Sequence, residues 1–386
     1  MAPSPFDAPP SRHGVPLPTL LHEGLDAIGP AIAARGWTRA LIVVDPGLRS
    51  AGHLGPLQTR LQESGVAVHL FDDVRPEPTE ADAQRCAEAI TASGADVLVA
   101  LGGGSALDTA KLGSFLATNP GPIEQHHGPG APANPLLPLV AIPTTAGTGS
   151  EVQSFALVQL RSGRKLACGA PGAMPVLTLL CPELTHSCPA QVTAMAGLDA
   201  LVHAVECYVT TARTEASAAH ARHAFRLLRA NLPAVLADPH NATARAAMLT
   251  GSVMAGQAIE ASMLGAAHAT ANALSAAAHV PHGNAVAIML PHVIRHNARD
   301  PDVAQRYTTL AQDLPTPGSD AHALADDLSA LLRATGLPST PTAWGLHAAD
   351  APRLADEAAT QWTLRFNPVA FRAAELHPIF RDAMGR

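Results

Sequence analysis

Asp199 and His203 stand four residues apart in a stretch that is apolar on nearly every side, with Ala196, Leu198, Leu201, Val202 and Val205 around them. Four apart on a helix means one face, so a carboxylate oxygen and an imidazole nitrogen converge on one point. Solvated and capping pairs share this spacing; what distinguishes this pair is that a carboxylate on an apolar helix must find a partner. His268 lies in an alanine-rich helical run, and His282 follows Pro281 at the head of another apolar stretch. Taken singly, either would serve as a satisfied core histidine. Taken with Asp199 and His203, they offer one carboxylate and three imidazoles, a donor set that suits iron(II) or zinc and leaves room for a substrate oxygen.

A second constellation lies upstream. Gly102, Gly103, Gly104 and Ser105 sit between an apolar strand-like run and a helical segment. Absent side chains there let a diphosphate approach backbone N–H groups and the positive end of the helix dipole. Glycine clusters also make ordinary tight turns, and the spacing is not that of the GxGxxG fingerprint. Residues 143–151 (PTTAGTGSE) offer several hydroxyls beside small neighbours, which would suit a capped helix start as well as a ligand. Asp45 closes the first strand-like run, where a carboxylate accepts hydrogen bonds from an adenosine ribose and repels a 2′-phosphate, favouring NAD over NADP. The competing reading is a turn aspartate before Pro46 and Gly47. Of the 25 lysines and arginines only Lys111 and Lys165 are lysines, so these two positions are candidates for needing an ammonium specifically.

The elements that would position these residues fall into two kinds. Short apolar runs at 40–44, 66–71, 97–101, 139–142 and 176–180 end in turn residues and alternate with helical spacing, as at 54–64. Strands too apolar to expose either face imply a mostly parallel sheet covered by helices on both sides. Beyond about Pro182 the pattern is helical to the C terminus, with breaks expected near Pro233, Pro239, Pro291, Pro315, Pro338 and Pro341. The expected organisation is a flexible tail over residues 1–15, a Rossmann-like dinucleotide-binding α/β domain over 16–182 and an all-α metal-binding domain over 183–386. Residues 121–138 read as a Pro- and Gly-rich loop in which His126 and His127 are solvated.

A length of 386 residues suits two domains. The net charge of −7 and the absence of any basic run argue against nucleic acid or an anionic membrane as partner. Five cysteines without a CxxC pair form neither a disulfide framework nor a thiolate zinc site, which fits the reducing cytoplasm. The first fifteen residues lack the basic start and apolar run of a signal peptide.

Residues 197–206 (GLDALVHAVE), His268 and residues 280–293 (VPHGNAVAIMLPHV) resemble the signature segments of the iron-containing alcohol dehydrogenase family, and the likeness runs from near Thr38 to Asn367 and Pro368. The resemblance implies a dehydroquinate synthase-like fold with the site in the cleft between the two domains, NAD as cofactor, a homodimer and a small alcohol or aldehyde as substrate. It makes Asp199, His203, His268 and His282 the metal ligands. It assigns Gly103, Gly104 and Ser105 to the pyrophosphate, places Asp108 and Lys111 on the helix behind them, gives Thr144, Thr145 and Thr148 to the phosphate and ribose region, and sets Lys165 near the nicotinamide ribose. Asn272 stands where many members have a histidine one turn after the third ligand, so proton transfer would need another route, with His279 a candidate. Glu77, between two prolines, replaces a frequent asparagine. Related sequences also include maleylacetate reductase-like oxo-acid reductases, dehydroquinate synthase-like lyases and non-catalytic relatives.

Overall fold

The structure, a computed structural model, describes residues 9, 11–12, 14–22 and 24–385. Most of the expected tail lies outside the described residues, although Val15 at its end is buried. The chain divides into two compact units that meet in sequence between Cys188 and Pro189.

The first unit is built on six parallel strands: β1 (Thr19–Leu21), β2 (Arg39–Val44), β3 (Ala67–Phe71), β4 (Val97–Gly102), β6 (Leu139–Pro143) and β9 (Leu177–Leu179), in the order β1-β9-β6-β4-β2-β3. Five of these match the apolar runs of the sequence. Alternation along each strand explains why they lack a polar face. Ile42, Val44, Val99 and Leu101 pack beneath Ile28, Ile32, Leu57 and Leu61, while Leu41, Val43, Leu98 and Ala100 pack against Cys86, Ile90, Leu107 and Ala110. Helices thus cover both faces.

A smaller sheet in the same unit, with β5 (Gly128–Pro129), β7 (Phe155–Gln159) and β8 (Lys165–Gly169) in the order β5-β8-β7, departs from the expected loop at 121–138. His126 is correspondingly not solvated. It is buried with its ring 4.8 Å from that of Phe115, whereas His127 is exposed.

The second unit contains no strand among the described residues. Two of the expected proline breaks are absent: Pro233 lies inside the helix Glu215–Ala237 and Pro291 inside His282–Asn297. Each proline forgoes one backbone hydrogen bond, and the helices continue because their apolar faces, including Leu228, Leu232 and Val235 in one and Ile288, Val293 and Ile294 in the other, remain packed. The helix Ala190–Val209 is long and apolar enough to cross a membrane, yet most of it is buried within the unit, as core helices are.

Candidate functional site

The helix Ala190–Val209 is buried nearly all round, and this places Asp199 and His203 in the interior of the helical unit. His268 is the third residue of the helix Ala266–Ala278, and His282 is the first of His282–Asn297. A close approach of backbones brings the last of these in. A Cβ on Gly283 would lie 2.3 Å from the carbonyl oxygen of Met195, so only glycine lets this helix end abut Ala190–Val209 one turn before Asp199.

The result is a convergence on one atom. Asp199 Oδ1 lies 3.3 Å from His203 Nε2, 3.6 Å from His268 Nε2 and 3.7 Å from His282 Nε2. The His203 and His268 rings stack at 4.9 Å, and the donor atoms of Asp199, His268 and His282 lie within 4.8 Å of one another. Ligand bonds of 2.0–2.2 Å in a tetrahedral site imply ligand-to-ligand edges of about 3.3–3.6 Å, close to the three separations from Asp199 Oδ1. Asp199 Oδ1 and His268 Nε2 are buried without a hydrogen-bond partner, an arrangement that costs free energy unless a cation satisfies both. The donor set and these two orphaned atoms fit a divalent metal.

Electrostatics agrees. Burial alone would raise the Asp199 carboxyl, but His203, His282 and His268 around it hold it well below the usual carboxylate range. Burial would lower His268, yet Glu206 and Asp199 push it up to about 9. The carboxylates that favour a proton on this cluster would equally favour a bound cation.

Glu206 was not singled out from the sequence. It sits seven residues after Asp199, hence on the same helix face, and is buried. Its Oε2 accepts from His268 Nδ1 at 2.6 Å, and its Oε1 accepts from the Ala267 amide at 2.6 Å. No side chain of the N-cap residue, Gly265, caps the helix Ala266–Ala278; Glu206 and Asn367, which accepts from the Ala266 amide at 3.3 Å, do so instead. The hydrogen bond at Nδ1 directs the other imidazole nitrogen, Nε2, toward Asp199. The available signal was the 199–203–206 spacing within an apolar helix.

Asn272 lies one turn beyond His268, half-buried, and its amide donates to Gln361 Oε1 at 3.1 Å. His279 is exposed, in a left-handed conformation (φ 53°) at the C-terminal cap of the same helix.

The other expected positions belong to the α/β unit. Strand β4 runs into Gly103, and the helix Gly104–Thr118 begins with no side chain capping its first amides. A Cβ on Gly103 would stand 3.0 Å from Thr145 Oγ1, and one on Gly104 would stand 2.7 Å from Thr148 Cγ2, so the two threonines press against the glycine loop. Thr144 is buried behind them, its amide donating to Gly102 O. Asp45 Oδ1 caps the helix Pro46–Ser50 by accepting from Leu48 N at 3.1 Å, while Oδ2 faces Gly102. The structure shows the turn role of Asp45 directly, and leaves Oδ2 on the side of the glycine loop.

Asp108 and Lys111 point inward. Lys111 is 2 % exposed, and its Nζ donates to Ser150 O, Ser150 Oγ, Gln153 O and Phe155 O at 2.7–2.9 Å. Asp108 accepts from Ser150 Oγ at 2.6 Å and from Leu157 N at 3.0 Å, and burial pushes its carboxyl up. The pair is a buried brace between the glycine-loop helix and the segment carrying Thr148, rather than a surface ion pair. A compact ammonium suits four converging acceptors where a planar guanidinium would not. Lys165 donates to Glu77 Oε1 at 3.0 Å.

Comparison with known proteins adds the following. Residues 20–182 match the family model described as iron-containing alcohol dehydrogenase, and residues 193–384 match that of the Fe-containing alcohol dehydrogenase family, C-terminal. The chain is 34% identical over 354 residues to alcohol dehydrogenase 4 of Schizosaccharomyces pombe, covering 92% of this chain and 84% of that protein. Among solved structures it is similar to a 1,3-propanediol oxidoreductase (TM-score 0.88, 31% identity, 95% and 98% of the two chains). It is likewise similar to the sulfoacetaldehyde reductase of Bifidobacterium kashiwanohense in complex with NAD+ (TM-score 0.85, 29% identity, 98% of each chain).

Proposed function

Since the chain belongs to the iron-containing alcohol dehydrogenase family, we propose that it is an oxidoreductase transferring a hydride between NAD(H) and a small alcohol or aldehyde. The observation that carries this reading is the set of three imidazole nitrogens turned on the orphaned Asp199 Oδ1 in the interior of a helical unit. When bound, iron(II) or zinc supplies Lewis acidity toward an alcohol or carbonyl oxygen, and nicotinamide supplies the hydride acceptor or donor.

The chain's own residues divide the remaining work. Asp199, His203, His268 and His282 hold the metal, and Glu206 keeps the His268 Nε2 lone pair available by accepting the proton at Nδ1. Gly103, Gly104 and Ser105 present backbone amides to the dinucleotide's phosphates, with Thr144, Thr145 and Thr148 lining the loop, and Asp45 selects the unphosphorylated ribose. Asp108 and Lys111 act behind this seat by bracing it from within. Asn272 orients the substrate through its amide, which exchanges no proton near neutral pH, so the alcohol proton would have to leave by water or His279.

The test is a panel of primary alcohols, aldehydes and oxo acids followed by NADH absorbance, using metal-depleted protein and protein reconstituted with iron or zinc. Metal-dependent turnover of an uncharged alcohol or aldehyde is the expected result. Turnover confined to oxo acids would reassign the substrate class, and tight NAD binding without net NADH change would overturn the dehydrogenase reading.

A further inference from the structure

Glu77 and His279 are the non-glycine residues with a positive φ among the described residues, at 52° and 53°. A left-handed backbone costs a residue with a Cβ roughly 1–2 kcal/mol and persists only where the surroundings hold it. At Glu77 the holding contacts can be named. Its amide donates to Ser105 Oγ at 3.3 Å, in the glycine loop, and its carboxylate accepts from Lys165 Nζ at 3.0 Å, at the start of β8. The next residue, Pro78, accepts from the Gln159 amide of β7 at 2.9 Å, and Thr79 bridges to the same residue. Residues 76–79 are therefore fastened to the glycine loop on one side and to the β7–β8 hairpin on the other, with the Glu77 side chain spanning them.

The charge arrangement is equally specific. Lys165 is one of two lysines in the chain, and the other, Lys111, is buried and committed to four acceptors. The Lys165 side chain is only 15% exposed, so its ammonium is fixed where Glu77 meets it. A carboxylate beside the loop that would receive a diphosphate does two things: it neutralises that ammonium and adds a repulsive charge of its own.

We propose that Glu77 and Lys165 form a charge clasp at the dinucleotide seat, in which Glu77 weakens the hold on the anionic ligand by occupying Lys165 and thereby sets the affinity for NAD. The inference rests on the glycine loop being that seat. Removing the carboxylate frees the ammonium for the ligand, and the strained backbone gives a way to separate charge from conformation. Asparagine and aspartate both tolerate the left-handed region better than glutamate, but only aspartate keeps the charge.

The experiment is calorimetric titration of the full-length protein with NAD+ and with ADP-ribose at two salt concentrations. Glu77→Asn is expected to bind both about fivefold more tightly than wild type at low salt, with the difference narrowing at high salt. Glu77→Asp should bind like wild type, while both variants melt at a higher temperature than wild type. Glu77→Gln, which keeps the backbone strain and loses only the charge, should tighten binding as Asn does and serves if the Asn variant fails to fold. In a Lys165→Met background the gain from Glu77→Asn should shrink to the part that comes from the carboxylate's own repulsion. Binding unchanged or weakened in both Asn and Gln variants, or a gain shared equally by Asp, overturns the clasp. If wild type and all variants bind neither ligand, the glycine loop is not the seat and the clasp falls with it.

Discussion

Replacing Glu206 with glutamine changes one atom of a buried side chain and should weaken metal binding without unfolding the protein. In the native arrangement Oε1 accepts from the Ala267 amide and Oε2 from His268 Nδ1, each at 2.6 Å. A glutamine oxygen can retain the first bond, but its NH2 group then faces Nδ1 and requires that nitrogen to be an acceptor. The imidazole proton is thereby moved to Nε2, the atom that lies 3.6 Å from Asp199 Oδ1 and is needed as a ligand. Losing a short, charge-assisted hydrogen bond costs about 1.5–3 kcal/mol, which corresponds to roughly 10- to 100-fold in metal affinity. Competition between apo-protein and a chromophoric chelator for zinc or cobalt measures this directly. Thermal melting of the apo-protein and NAD+ titration report the fold and the other unit. Wild-type metal affinity in Glu206→Gln would refute the tautomer argument. A drop in apo-protein stability with unchanged metal affinity would leave Glu206 as only a helix cap.

Three further outcomes follow from the same geometry. Asp45→Gly should narrow the preference for NAD over NADP by at least about tenfold, about 1.4 kcal/mol, because glycine still serves as a helix N-cap while the loop-facing carboxylate is gone; equal kcat/KM for both cofactors in wild type would contradict the assignment. Asn272→Ala should raise KM more than it lowers kcat, and Asn272→His should add an ionisation near neutral pH to the kcat/KM profile, whereas a lost kcat at unchanged KM would move Asn272 into the transition-state machinery. Asp313 is held below the usual carboxylate range: burial opposes ionisation, but hydrogen bonds from Arg222 and Arg226 at 3.0 and 2.7 Å prevail. A folded value below the unfolded one stabilises above the unfolded pKa of about 3.9 and is lost as pH falls through the lowered folded value. Asp313→Asn should therefore cost about 1–2 kcal/mol at pH 7, with the gap closing below about pH 4; a gap independent of pH would contradict the pairing.

The parts legible in the sequence were those whose physics is local. Strands β2, β4, β6 and β9 announce themselves because both faces are buried, so apolar residues run without alternation, while the edge strand β3, exposed over much of its length, is legible only as a short apolar run. Asp199 and His203 are legible as an i, i+4 pair on an apolar helix, and the glycine loop as the break between β4 and its helix. What the sequence hid depends on distant partners. Strand β1 is three residues long, and in Phe155–Gln159 the exposed position is the apolar Leu157, so the alternation of burial is not written in the residue types. Glu206 acquires its role only when Ala267 and His268, more than sixty residues later, fold onto it. The buried lysine brace likewise needs Ser150, Gln153 and Phe155 around Lys111, and composition alone could flag the lysine but not its acceptors.

Transition-metal content of the purified protein, measured on wild type and Asp199→Ala after reconstitution with iron or zinc and removal of excess, tests the central claim most directly. With four ligands converging on one point, wild type should retain about one equivalent per chain and Asp199→Ala essentially none, while NAD+ affinity stays the same in both. Retention of a full equivalent by Asp199→Ala, or undiminished turnover of metal-free wild type in the presence of chelator, would contradict it.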